Sequence, residues 1–353
     1  MSRFLAREQQ SSLHLVTTLD SGGSSASLRQ AFEMPAVGDL RNRLLALANR
    51  DNPSIRTTVE WMQHRMAPGA DVVALRRDIE SLAALPDFAA DRDGKLIDVA
   101  RFALEQLPSA GQFAGMCIGN LVLTGMYLQH GRRLEQATTQ LGEALEIVGW
   151  VLPITEDNAQ LCVTLANGQR LIGQHLMTGK EVERLVSPIQ SIIASNAEGK
   201  PVTLAMSNRQ REMIACANQI IFPPGSFFSS IIANLLCNDV VRALIEQPAL
   251  KVYVPNLGFD PEQLNLSTLD TIAWIWGIFD KVAGRAEILA ERSLVLLDQS
   301  HIDAEPALVQ ALEARGIRYR VEEISEKDDQ GRPFRHNAER LIRALRELPA
   351  PIV

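Results

Sequence analysis

A seven-residue stretch that reads as a strand, Leu13 to Leu19, ends on Asp20-Ser21-Gly22-Gly23-Ser24-Ser25 and leads into helical spacing, and this junction constrains the fold more than any other stretch. A strand that delivers a Gly/Ser loop onto a helix start presents backbone N–H groups to an anion, and an adjacent aspartate can hold a cation or a hydroxyl. Arg29, Asp39, Arg41 and Asn42 follow within two short turns. The set reads as a phosphate or nucleotide site; read as an ordinary surface loop, its serines are helix caps. The same junction recurs at Gln219–Phe222, Pro223-Pro224-Gly225-Ser226 and a helix from Phe227 to Leu236. There Ser226, Ser229 and Ser230 occupy the first helical turn, where exposed N–H groups and the helix dipole favour a phosphate.

Elsewhere the chain reads as alternating strands and helices. Met1 to Gln10 has the spacing of the last turns of a helix, so the chain opens one strand later than βα units usually do. A helix follows at Gly38–Ala48, and from Asn49 to Ala110 the pattern is helical, with amphipathic spacing at Val72–Leu85 and Leu96–Leu107. This stretch is read as a helical insertion, 49–110, within a domain made of 1–48 and 111–353. Gly119 and Asn120 open a further apolar helix. Leu145–Leu152 reads as a buried strand, and Leu161–Leu165, Asn167-Gly168 and Arg170–Gly173 as a hairpin with a type I′ turn. Ser207–Asn218, Glu305–Arg315 and His336–Leu345 read as helices, and Lys251–Val254, Ser293–Leu297 and Tyr319–Glu323 as strands. The class expected is α/β, a doubly wound and mostly parallel sheet with an antiparallel hairpin. In such sheets ligands gather at the carboxyl ends of the strands, where Asp20, Gly22, Pro153, Gly225 and Asn256 all fall.

Composition narrows the function. With 353 residues, 46% of them apolar, the chain can bury one large or two medium cores. A net charge of -7, from 42 acidic and 35 basic residues, argues against a nucleic-acid partner. No run approaches the roughly 20 apolar residues that span a bilayer, and MSRFLAREQQ lacks the apolar core of a signal peptide. No membrane association and a cytoplasmic location are expected. Cys117, Cys162, Cys216 and Cys237 are irregularly spaced in apolar contexts and read as buried reduced thiols. Trp61 and Met62 are candidate anchors for a partner of the insertion, whereas Trp274 and Trp276 read as core.

Four segments in order and spacing, Asp20–Ala48, Gly115–Leu123, Gly149–Thr155 and Pro223–Leu236 leading into Val252–Leu257, resemble the family that includes 2-phospho-L-lactate transferase and the bacterial gluconeogenesis factor, the CofD-like proteins. The resemblance is closer to the gluconeogenesis-factor branch, and within it to a subgroup encoded beside an ATP-grasp protein. It implies a Rossmann-like three-layer sandwich that binds a nucleotide diphosphate conjugate, GDP- or UDP-linked, with Mg²⁺. In the transferase branch a 2-phospholactate or related group moves onto an acceptor hydroxyl; in the other branch the fold binds a UDP-sugar and regulates. The residues that match are Asp20, as catalytic residue and metal ligand, and Gly22, Gly23, Ser24, Ser25, Arg29, Gly38, Asp39, Arg41, Asn42, Gly119, Asn120, Gly225, Ser226 and Asn256 as the ligand cradle. A small phosphorylated ligand, a homodimer and the neighbouring ATP-grasp protein are the implied partners.

Three departures accompany the resemblance. Family members open with a strand and a GGGTG-type loop, and this chain begins downstream of both; a start placed too late is expected, and the gap should leave unpaired backbone groups. Ser21 stands where many members have a second aspartate, which leaves one carboxylate, sufficient for an ion that keeps several waters. Met116 replaces a histidine of the gluconeogenesis-factor branch. None of the histidines, His14, His130 and His175 among them, lies inside a motif, so no histidine base is expected, and His130 and His301 read as surface residues.

Overall fold

The computed structural model describes residues 11–67, 71–85, 87–107, 115–178, 184–285 and 292–348, with Gly23 and Ser24 described by backbone alone. The helix expected at Met1–Gln10 lies outside the described residues. The chain is α/β, with parallel ladders and antiparallel hairpins. Strand β1, Leu13–Val16, pairs in parallel with β2, Trp150–Pro153, in the register Leu13 to Trp150 through Val16 to Pro153. The expected strand to Leu19 stops at Val16 because the next residues bond elsewhere: Thr18 Oγ1 donates to Thr155 O at 3.0 Å, and Ala36 N donates to Thr18 O at 3.0 Å. The expected strand at Leu145–Leu152 begins late for a related reason. Leu145 still closes the helix Leu134–Ala144, and Glu146 (φ 50°) and Gly149 (φ 108°) turn the chain before Trp150.

Two large apolar cores meet at β1. Leu13 and Leu15 pack on the core beneath the C-terminal half, and Val16 belongs to the core of the N-terminal helices. The helix Ile118–Gln129 is buried from Ile118 to Tyr127 and forms the axis of that second core, as an all-round apolar helix must. The helices Pro53–Gln63, Val72–Glu80 and Ala90–Glu105 share this core, and Trp61 and Met62 are buried in it. They therefore offer no anchor to a partner.

The hairpin is present as expected, with β3 (Gln160–Leu165) between β4 (Arg170–Ile172) and β5 (Ile189–Ser195). Its turn differs from type I′: only Gly168 takes a positive φ (87°), and its N–H closes a turn onto Leu165 O at 2.9 Å, so one glycine supplies what two residues would otherwise share. Four parallel strands follow in the order β6 (Gln219–Phe222), β7 (Leu250–Tyr253), β8 (Ser293–Asp298) and β9 (Tyr319–Glu322). A second hairpin, β10 (Ser325–Lys327) with β11 (Pro333–His336), lies where charge-rich sequence gave no strand signal, and the last helix starts after it, at Ala338. The single doubly wound sheet expected is divided. Among the described residues, neither β1 nor β6 pairs along a second edge.

Cys117, Cys162 and Cys237 are buried thiols, but Cys216 is exposed, because it caps the helix Asn208–Ala215 on its outer side. Two glycines test the helical core. A Cβ at Gly125 would collide with Val99 O and lie 2.7 Å from Val99 Cγ1, whereas one at Gly94, in the same helix as Val99, would meet nothing within 4 Å. Gly125→Ala is expected to lower stability by about 1–3 kcal/mol through overpacking, and Gly94→Ala to raise it by about 0.8–1.0 kcal/mol through helix propensity. Urea unfolding midpoints measure both.

Candidate functional site

The carboxyl end of β1 runs directly into the first loop. Asp20 is half-buried, and its Oδ1 accepts Gly22 N at 3.1 Å, which turns the chain into the helix Gly23–Phe32. The N-cap residue of that helix, Gly22, has no side chain with which to cap it. Arg29, one face further along it, reaches back: Nη1 donates to Asp20 O at 2.6 Å, and Nη2 donates to Asn158 Oδ1 at 3.0 Å and Ala159 O at 2.8 Å. The guanidinium thus ties the loop to the segment after β2, through carbonyl oxygens and not through the Asp20 carboxylate. Gly38 closes the other side. A Cβ there would lie 2.8 Å from Ser25 Oγ and 3.9 Å from Asp20 Oδ2, so only glycine lets the helix Gly38–Leu47 approach so closely.

Burial pushes the Asp20 carboxyl above the usual carboxylate range, and the neighbouring Asp39 carboxylate adds to the shift. Two carboxylates close enough to influence one another, next to a helix start, make a place for a cation shared with phosphate oxygens. Among the described residues no cluster of three or more His, Cys, Asp or Glu side chains could hold a metal ion by itself. Of the arginines on Gly38–Leu47, Arg43 lies one turn beyond Asp39 and is influenced by it, and it also helps depress the His14 imidazole to about 3, a shift due first to burial. Arg43 was not singled out by sequence, although its i, i+4 spacing from Asp39 was visible. Arg41 turns the other way. It is buried, its Nη1 donates to Cys117 Sγ at 2.6 Å, and its Nε is buried without a hydrogen-bond partner among the described residues. Gly119 sits against it, since a Cβ there would lie 3.0 Å from Arg41 Cδ and 2.8 Å from Met62 O. Asn120 is buried one position further into the same helix, and Asn42 is exposed.

One residue brought to the loop carried no sequence signal. His175, in the turn after β4, lies with Nδ1 2.8 Å from Ser21 Oγ, while its own N–H donates to the same oxygen at 3.4 Å. Nothing in the spacing of two residues 154 positions apart could have announced the pair.

The second loop is built from the same residue types and has the opposite electrostatics. Gly225, Ser226 and Asn256 do come together: Gly225 N donates to Asn256 Oδ1 at 2.9 Å and Asn256 Nδ2 to Gly225 O at 2.7 Å. The expected α-helix opens as one π-helical stretch, Phe227–Ile232, and its N–H groups are not exposed to an anion. Phe227 N donates to Asp260 Oδ2 at 2.8 Å, and Ser229 N and Oγ donate to Glu262 Oε2 and Oε1 at 2.8 and 2.5 Å. Two of the protein's own carboxylates occupy the positions a phosphate would take. The loop also rests on His301, which is buried and not a surface residue: its Nε2 meets Asn256 O at 2.9 Å, and its Nδ1 accepts Asp298 N at 3.0 Å. His130 contacts Gln140 at the partly exposed end of its helix. Beyond Asp298, a cleft of about 630 Å³ opens between β8 and the β10–β11 hairpin, lined by Asp303, Glu323, Glu326, Lys327 and Arg340 among others.

Comparison with known proteins shows the family and the fold. The family model described as "2-phospho-L-lactate transferase CofD" matches residues 2–327. A putative gluconeogenesis factor of Thermoanaerobacterium thermosulfurigenes is 30% identical over 263 residues, 74% of this chain and 64% of that protein. Another, from Thermotoga maritima, is 32% identical over 251 residues, 70% of this chain and 60% of that protein. The chain thus spans under two thirds of the length of these relatives. A crystal structure of a member of the UPF0052 family from Bacillus halodurans superposes with a TM-score of 0.68 at 21% identity, covering 98% of this chain and 95% of that one. No helix among the described residues is long and apolar enough to cross a membrane.

The raised Asp20 pKa gives a signed expectation. Its ionised form is penalised in the folded state, so its contribution to stability is full below the unfolded value of about 4 and is lost as pH rises through the folded pKa. Asp20→Asn, which keeps an oxygen for Gly22 N, should therefore be more stable than the parent at neutral pH, with the gap closing toward pH 4. Urea midpoints across that range measure it, and a gap independent of pH would contradict it. Glu262→Ala should instead cost about 1–3 kcal/mol, because it leaves the buried Ser229 donors without an acceptor.

Proposed function

Because the chain belongs to the CofD family, we propose that it binds a nucleotide diphosphate conjugate at the Asp20 loop and moves 2-phospholactate or a related phosphorylated group onto an acceptor hydroxyl. The observation that carries this reading is the contrast between the two loops. The first presents a helix start whose N-cap residue, Gly22, has no side chain, beside Asp20 and Asp39, whereas the second already holds Asp260 and Glu262. Only the first is electrostatically open to a phosphate accompanied by a cation.

Asp20 and Asp39 are the residues that would hold Mg²⁺, which when bound neutralises charge on the phosphate oxygens. Arg29 fixes the loop on the segment after β2, and Gly38 lets Ser25 and the Asp20 carboxylate close around the ligand. A site of this kind works by positioning the reacting groups and by neutralising charge on the phosphate oxygens. The second reading, a regulatory protein that binds a UDP-sugar without turnover, is favoured by the gluconeogenesis factors among the relatives and uses the same loop.

Thermal shift against GDP, UDP and UDP-sugars, with and without Mg²⁺, tests both readings. A ligand at a hundredfold its Kd stabilises by about 2.7 kcal/mol, and Asp20→Asn should lose the Mg²⁺-dependent part. No shift with any diphosphate would sink both readings. Turnover lost with binding retained in Asp20→Asn selects the transferase, and binding without turnover in the parent selects the regulator.

A further inference from the structure

We propose that Ser21 and His175 form a nucleophile–base pair, and that Ser21 carries the transferred group as a covalent phosphate ester. The geometry suits this arrangement. Ser21 Oγ accepts the backbone N–H of His175 at 3.4 Å and lies 2.8 Å from its Nδ1, so in the tautomer that carries its proton on Nε2 the serine hydroxyl donates to Nδ1. A hydroxyl aimed at an imidazole nitrogen is the geometry in which the base takes the proton as the oxygen attacks. The pair also depends on a backbone made for it. Gly173 sits at φ 109°, and a Cβ there would lie 2.8 and 2.9 Å from His175 Cε1 and Nδ1 and 2.9 Å from Ser21 Oγ, so the turn brings the ring onto the serine only because this residue is glycine. Ser21 and His175 are both half-buried, which keeps a face of the oxygen within reach of a ligand. Ser21 directly follows Asp20 and precedes the helix start, so the oxygen lies at the mouth of the proposed phosphate site.

In the first step Ser21 Oγ bonds to the phosphorus remote from the nucleoside, the bridging P–O bond breaks, the nucleoside monophosphate leaves, and the serine proton passes to His175 Nδ1. His175 then releases that proton to solvent. In the second step the acceptor hydroxyl bonds to the same phosphorus, the Ser21 Oγ–P bond breaks, and the acceptor's proton reaches Ser21 by way of His175. The identity of the leaving group rests on the transferase reading; the reactivity of Ser21 does not.

Ser12 and His14 provide an internal comparison. Ser12 Oγ lies 2.9 Å from His14 Nε2, but Ser12 only precedes β1 and His14 sits within it, at the end of the strand opposite the loop. The test is to treat the full chain with diisopropyl fluorophosphate, in which Oγ–P forms, P–F breaks and fluoride leaves, and to locate the adduct by peptide mass mapping. One adduct on Ser21 is expected, absent in Ser21→Ala. His175→Ala should label about 10²–10⁴-fold more slowly at an unchanged melting temperature, with added imidazole restoring part of the rate. A parent chain that takes no label, a label on Ser12 or elsewhere in place of Ser21, or His175→Ala labelling at the parental rate would overturn the proposal. Diphosphate-induced thermal shift is read separately, so a chain that shifts but does not label loses this inference and keeps the nucleotide site.

Discussion

A strand of four residues, β1, is the constraint on which the remainder depends. Leu13 and Leu15 fill one core and Val16 the other, so the strand is apolar on both faces and its register is fixed from two sides. A slip of one residue would send His14 into the C-terminal core and expose the leucines to the wrong partner. The parallel ladder with β2 then brings the two carboxyl ends side by side. Asp20 and the Asn158–Ala159 segment come within reach of the one Arg29 guanidinium because of it. The loop's shape is therefore set by apolar packing several residues away, and the polar contacts lock a position already decided.

The two Gly/Ser loops show how little residue type says about electrostatics. Both follow a parallel strand, and both precede a helical turn rich in serine. At Gly225 the connection after β7 folds back and places Asp260 and Glu262 on the turn's N–H groups. A phosphate entering there would displace two satisfied carboxylates and meet their charge. At the first loop the N-cap residue, Gly22, has no side chain, and Asp39 stands close enough to Asp20 to add to the repulsion on its carboxylate. Adding a cation makes the first loop more favourable for a phosphate. The second would have to give up its own acceptors first.

The alternation of strands and helices, the hairpin at Asn167-Gly168 and the clustering of Asp20, Ser25, Arg29, Gly38 and Asp39 were legible because each depends on local pattern. Gly38 was legible only as a helix start and a motif match; its close approach to Ser25 depends on how two helices pack. What escaped depends on contacts between distant segments. The direction of Arg41 is set by Cys117 and Gly119, and the burial of His301 by Asn256 and Asp298. The acids that close the second loop sit 33 residues from the donors they satisfy. Period and composition carry no record of such pairings. The hairpin β10–β11 escaped for another reason, since its strands are short and charged and pair outside the main apolar cores.

Ser21 can be understood from the same electrostatics. A second carboxylate at this position would stand next to Asp20, whose charged form burial already disfavours and whose neighbour Asp39 adds further repulsion. Three carboxylates around one loop would demand a cation for the fold itself to be comfortable. A serine adds no charge. It nevertheless keeps an oxygen at the mouth of the site, and the contact with His175 gives that oxygen a base to which it can lose a proton. The loop can thus remain folded without an ion while keeping an activated oxygen where a phosphate would arrive. Gly173 is the structural cost of that arrangement, a residue held at positive φ so that a ring from the antiparallel sheet can reach across to the end of a parallel strand.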